Sequence, residues 1–518
     1  MNLRRISWAG VLATAFAASC PLAASGQTFQ SQGPSPSSGP IATVQSGDQL
    51  PNGTVSGAVQ AIAVDPTDSR TIFIGAPNGG IWVTRDGGAS WKALSDKNTS
   101  LSISSLAFDP TDTTRQKLIA GIGATSNGHI AGRDGGQLTG ILYSSNNGTS
   151  WTELAGSGST LVDQNIVAVA ARGTTLLAAS NSDTGGGLYR SGNSGTNFAL
   201  DANLRPGQVW SLAGDTANSN LFYASVVGTA AADSGIYKSD ITGSTWTKVL
   251  SLGTDRVARL ATGPSGAIVA AVYDSSSGGT TSGQLVAIQL STNGGTSWVT
   301  LDDAAQLPKI NPGRQASTNL AVALDPKDAS VIYIAGDFNQ AQANPTIAAF
   351  RVRYLGNGQW STASLTDAGT ADGSTVHADG RVFMFDASGR LLLGGDGGVF
   401  MRTNPGDATG KWTGLNSSTL ALREIYGIAY DGISNRLTVA SQDTGTATQT
   451  TPRSAGYTAI GPGDGVNAIV DDTSSTSQSI SYFTAQALGP LTRRVTTAAG
   501  TVTSSQVIGG LNFPADDR

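Results

Sequence analysis

The sequence predicts an all-β fold built from repeated short strands, and three observations carry that prediction. Glycine supplies 67 of 518 residues, well above the usual ~7%. Charged residues make up 13% against a usual ~25%, so the Lys, Arg and Glu that favour exposed helices are scarce. A short turn-like segment also recurs along the chain at intervals long enough for four strands each. The length corresponds to roughly two to four domains or one large repeat assembly, and 39% hydrophobic residues allow a sizeable core.

The N-terminus comes first. Arg4 and Arg5 precede an apolar stretch from Ile6 to about Ala18, followed by small residues. That is the layout of a secretory signal peptide over residues 1–26, and the run is too short for a permanent membrane anchor. Cys20 is the only cysteine, so cleavage near Gly26 leaves a mature chain with neither disulfide nor thiolate metal site. Lipidation at Cys20 is the minor alternative. Losing Arg4 and Arg5 takes the formal charge from -5 to -7. With no basic tract, the chain carries no nucleic-acid footprint and offers nothing to anionic membranes. Residues 27–50, rich in Ser, Pro and Gly, read as a leader.

The repeats fill residues 51–415. The fullest unit opens with Val59 to Asp68 and closes with Thr84 to Trp91; LAFDPTD at 106–112 and VALDPKD at 322–328 echo its opening. The closing segment returns as SSNNGTSW (144–151), SGNSGTNF (191–198), SDITGSTW (239–246) and STNGGTSW (291–298), with weaker forms ending at Trp360 and Trp412. Successive closing aromatics are separated by 60, 47, 48, 52, 62 and 52 residues, which accommodates four strands and their turns, the content of one propeller blade. In each closing segment Asp86, Asn146, Asn193 or Asn293 accepts turn amides, Gly takes positive φ, and Trp91, Trp151, Phe198, Trp246 or Trp298 folds back over the turn. Residues 416–518 continue the alternation without a clear closing segment, so they either complete the ring or start a second one. The prediction is a β-propeller of seven to nine four-stranded blades.

The closing segment resembles the Asp box, or bacterial neuraminidase repeat, of sialidases, sortilin-type propellers and xyloglucanase-like glycosidases. The resemblance covers roughly residues 55 to 415 and implies the propeller fold and export; the box itself is structural and locates no ligand. Sialidase chemistry would need a Glu base, and the sequence has only Glu153 and Glu424. Glu153 follows a box Trp on an outer strand. In Arg423-Glu424-Ile425-Tyr426 neighbouring side chains point to opposite faces. Xyloglucanase-like enzymes invert with two Asp, one in a motif resembling TDIGGAY; here Ala76-Pro77-Asn78-Gly79-Gly80 puts Asn78 in its place, and an amide is no general acid or base.

The candidate site is a polar cluster of His377, Asp379, Arg381, Asp396, Gln442 and Asp443. Val376–Arg381 lies directly before a strand, and Asp396 and Asp443 occupy equivalent turns in successive units. Such a cluster at the mouth of the ring would bind a sugar or a cation. Asp-rich turns admit Ca²⁺, but no complete Asp-x-Asp-x-Asp-Gly loop occurs, so no cofactor is expected. His129, Arg133 and Asp134 mark a second, weaker loop. The expected function is a non-catalytic extracellular module for glycan or protein binding. The alternatives are a glycoside hydrolase with an altered site and the passenger of a larger surface protein; oligomeric state is not encoded in any motif.

Overall fold

The computed structural model describes residues 31–38, 53–126, 135–278, 280–303, 307–310, 313–338, 347–485 and 491–508. The signal segment with Cys20, and the loop carrying His129, Arg133 and Asp134, lie outside them.

Among the described residues nine sheets follow one another along the chain, each built on four consecutive antiparallel strands. Sheet 1 consists of Ala61–Asp65, Asp68–Ala76, Gly80–Thr84 and Lys92–Ala93. Sheets 2 to 7 repeat the pattern, with inner strands Ile103–Phe108, Ile166–Arg172, Gly207–Gly214, Arg256–Thr262, Leu320–Leu324 and Gly380–Phe385. Sheets 8 and 9 begin at Ile425–Asp431 and Asn467–Asp471. The architecture is that of a β-propeller. Alternation puts apolar residues on both faces of the middle strands, and each core forms where two sheets meet: Phe73 and Ile81 of sheet 1 pack with Leu118 and Leu142 of sheet 2.

From sheet 1 to sheet 7 each inner strand lies beside the next, and the inner strand of sheet 7 lies beside that of sheet 1. Seven sheets therefore form a closed circuit. Leu392, Val399 and Leu415 of sheet 7 share a core with Ile62, Ile72, Ile74 and Trp91 of sheet 1. The backbone stitches the same seam, Ser56 donating to Gly397 O and Val59 to Gly395 O, both at 3.0 Å. Sheets 8 and 9 pack on each other through Ala440, Ile460, Ala468 and Phe483. Their other faces leave Ile428 62% and Ile469 60% exposed.

Part of the segment read as a leader is built into the fold. Ser37–Ser38 pairs in parallel with Tyr457–Gly461 and antiparallel with Thr54–Val55, widening sheet 8 to six strands. Ser35 and Ser37 are buried there.

Four closing segments share one hydrogen-bond pattern. The hydroxyls of Thr84, Ser144, Ser191 and Ser291 accept the amides of Gly88, Gly148, Gly195 and Gly295 at 2.8 to 2.9 Å. Asp86, Asn146, Asn193 and Asn293 accept the amides four residues on at 2.9 to 3.0 Å. In the fifth, Ser239 instead donates to Thr245 O. The tryptophans do more than cover their own turns. Trp91, Trp298 and Trp412 donate their indole N–H to Leu415, Val249 and Leu365 of the preceding sheet, and Trp246 donates to Asp201. A residue that ends one sheet thus fastens it to its neighbour, and Trp91 does so across the seam.

Candidate functional site

In five of the described sheets one residue near the start of the inner strand is a β-bulge, left out of the ladder: Ser104, Val167, Arg381 and Tyr426 at its second position and Trp210 at its fourth. A bulge turns its side chain away from the regular alternation. Ser104, Val167 and Trp210 thereby line a narrow cleft together with Gln60, Thr125, Asn181, Arg259, Ser317 and Thr318. These residues come from sheets 1 to 5 and the entry to sheet 6, so the cleft lies on the ring's central axis.

Arg381 connects this cleft to the acids. Its Nη1 donates to Gln60 Oε1 and to Thr125 O, both at 2.9 Å, while its Nε donates to Asp396. Both side chains of that ion pair are fully buried. Carboxylate oxygens of Asp379, Asp396 and Asp443 all lie within 4.8 Å of one another. Asp379 also accepts from Asn319 Nδ2 at 2.8 Å, and Asp443 donates its backbone N–H to Asp464 at 2.8 Å. Gln442 Nε2 donates to Asp443 at 3.1 Å, and Tyr426 OH donates to Gln442.

The local backbone explains this convergence. Asp379 and Asp443 adopt left-handed φ of 67° and 52°, which Asp tolerates better than most residues. A Cβ at Gly395 would stand 2.6 Å from Asp379 O, and one at Gly397 2.3 Å from His377 Cβ. The glycines around Asp396 are therefore the condition for bringing its turn against the 377–379 loop.

Burial, then the neighbouring charges of Asp396 and Asp337, holds the Asp379 carboxyl well above the ordinary range; Arg381 opposes this. Burial again leads at Asp443, followed by Asp396, Asp379 and Asp464. Burial by itself would lower the Arg381 guanidinium, but Asp396, Glu424 and Asp443 outweigh it and raise it. The arrangement favours protons or cations among the acids, and Arg381 supplies the fixed positive charge. Asp379, Asp396 and Asp443 are the residues that could hold a metal.

The six residues singled out from the sequence are thus brought together, with different parts to play. His377 presents no free ring nitrogen: Nδ1 and Nε2 lie 2.9 Å from Ala378 O and 3.2 Å from Asp443 O, so the ring braces the two acid-bearing turns. Asn78 is also engaged. It donates to Glu424 Oε1 at 2.9 Å and accepts from Ser102 Oγ at 2.8 Å. Arg423 turns away from Glu424 to Ser37. Sequence reasoning missed Asp337, Asn319, Asp464 and the whole cleft lining. Asp464 had a visible signal, since Gly463-Asp464-Gly465 repeats the glycine setting of Asp396.

No protein-family profile and no curated protein matches this sequence. Among solved structures, it is similar to an ancestral GH74 enzyme (12% identity, TM-score 0.61), covering 88% of this chain and 62% of that one. It is also similar to the GH74 xyloglucanase from Xanthomonas campestris (16% identity, TM-score 0.52; 88% of this chain, 75% of that one). A GH74 enzyme from Niastella koreensis gives 17% identity and a TM-score of 0.52 over 90% of this chain and 74% of the other. The chain thus spans less than two thirds of the first of these structures. Together with the nine four-stranded sheet units, these likenesses identify the fold of the chain as a β-propeller.

Proposed function

We propose that this is an exported, Asp-box β-propeller that binds a glycan at the mouth of its channel without hydrolysing it. On this reading residues 51–415 form the ring and 416–518 begin a second one. The carrying observation is the cleft lining. Trp210 offers a ring, Gln60 and Asn181 amides, and Ser104, Thr125, Ser317 and Thr318 hydroxyls. Sugars are recognised by this combination of an apolar ring face and directional hydrogen bonds. The indole N–H of Trp210 is already engaged by Gln208 at 3.0 Å, which fixes the ring.

The absence of hydrolysis is argued from the acids. An inverting pair stands ~6.5–9.5 Å apart to admit water, whereas the clustered carboxylate oxygens lie within 4.8 Å. Asn78 replaces the other expected acid and is bonded to Glu424. The second reading, a glycoside hydrolase with an altered site, is favoured by the likeness to the GH74 structures. Screening the purified chain on a glycan array beside a reducing-sugar assay separates the two. The expected result is binding that Trp210→Ala weakens, with no sugar release. Hydrolysis abolished by Asp396→Asn would overturn the non-hydrolytic reading, and absence of any glycan binding would overturn the glycan reading.

A further inference from the structure

We infer that the channel cleft takes an acidic glycan, with a uronate carboxylate on Arg259; this rests on the glycan-binding reading above. Among the described residues Arg259 is the only charged side chain lining the cleft, and no acidic side chain lines it. Its Nη2 donates to Ser317 O at 2.8 Å, which orients the guanidinium, and it has no ion-pair partner among the described residues. The Nε–H is buried without an acceptor.

Two more lining atoms are in the same state. Asn181 Nδ2 and Thr125 Oγ1 are buried without hydrogen-bond partners among the described residues; Asn181 is only 5% exposed, and its Oδ1 accepts from Asn165 at 2.8 Å. Burying a polar atom unpaired is costly. Here three such atoms, from sheets 2, 3 and 5, line one cleft. Two are N–H donors and the third is a hydroxyl, which donates or accepts. That set is complementary to a carboxylate with an adjacent hydroxyl, because guanidinium and carboxylate are both planar and pair strongly. Trp210, from sheet 4, supplies the surface for the pyranose ring.

The acid cluster next door sharpens the choice. Arg381 is paired with Asp396, and its Nη1 donates to Gln60 and Thr125. Arg259 has no such neighbour, so an anion entering the cleft meets one uncompensated positive charge. A neutral sugar would leave that guanidinium desolvated and unpaired.

Isothermal titration of the full chain with oligogalacturonate, a neutral cello-oligosaccharide of equal length and a sulfated oligosaccharide tests the inference. Oligogalacturonate is expected to bind at least about 10-fold tighter than the neutral sugar, from the ~1.5–3 kcal/mol of a charged hydrogen bond. Arg259→Gln should remove that preference, bringing oligogalacturonate and the neutral sugar to within about twofold of each other. Raising salt to 0.5 M should weaken only the acidic ligand; this measurement needs no variant. Asn181→Ala gives an independent test should Arg259→Gln fail to fold, and it should weaken oligogalacturonate. Equal binding of acidic and neutral sugars, unchanged by Arg259→Gln, would sink the inference and leave glycan binding standing. Tighter binding of the sulfated ligand would overturn the uronate assignment, and failure of all three ligands would overturn both readings.

Discussion

Aspartates at the outer rim and at the channel mouth share a side chain and almost nothing else. At the rim, hydrogen bonds from Ser90 and then Thr84 hold the Asp86 carboxyl down at about 2. At the mouth, burial and neighbouring acids push Asp379 and Asp443 well up. Rim acids stabilise turns as anions; mouth acids are crowded where ionisation is opposed. The difference teaches that residue type and turn motif do not assign a role in this chain. What surrounds the carboxylate does.

The largest effect should come from removing the cation paired with Asp396. Arg381→Met leaves Asp396 buried among acids without its partner, and breaking a buried pair costs about 3–5 kcal/mol, readable by denaturant unfolding. A loss below about 1 kcal/mol would show that the mouth tolerates its acids unaided and would erase the contrast with the rim.

The pH dependence is next. Asp379 and Asp443 retain protons in the folded state that an unfolded chain, with carboxyls near the ordinary value of 3.8, has released. Their contribution is present at low pH and declines as pH rises from about 4 through their elevated folded values. The rim runs the other way: Asp86 contributes above the ordinary carboxyl range and loses its contribution as pH falls toward about 2. Thermal midpoints between pH 4 and 8 should therefore fall with rising pH. The double variant Asp379→Asn/Asp443→Asn should flatten that slope and raise the midpoint at pH 7. A double variant with an unchanged slope would place the titrating groups elsewhere.

Smaller effects belong to the rim. Asn293→Ala removes the acceptor for Ser297 N at 3.0 Å and should cost about 1 kcal/mol, comparable to loss of a capping side chain. Asp86→Asn should lower the midpoint at pH 7 only slightly, because three other turns keep the same backbone bonds with Asn, and should remove this turn's loss of stability toward about pH 2. A marked loss there would mean that the rim charge matters after all.

How much of this was legible follows from the physics of each part. The repeats were readable because a turn that must bind its own amides accepts only a few residue types, and these recur at fixed offsets. The convergence of Asp379, Arg381, Asp396 and Asp443 was readable from equivalent turns. Trp210, Val167 and Ser104 were not, since a bulge has no signature in an alternating pattern: the ladder simply skips one residue. Nor could sequence show that His377 would turn both nitrogens to carbonyls, or that Asn78 would meet Glu424 across 346 positions. These contacts are made by the closure of the ring.

The bulges carry one further consequence, for how such a ring changes over evolutionary time. A residue outside the ladder has no cross-strand partner to match and no fixed alternation to respect. Ser104, Val167, Trp210 and Tyr426 are therefore four sites, one per sheet, at which a substitution alters the mouth while the strand registers stay as they are; Arg381, bulged likewise, is held by its buried pair with Asp396. A scaffold of this kind can exchange one ligand for another by single mutations, and its sequence can drift far while its architecture persists.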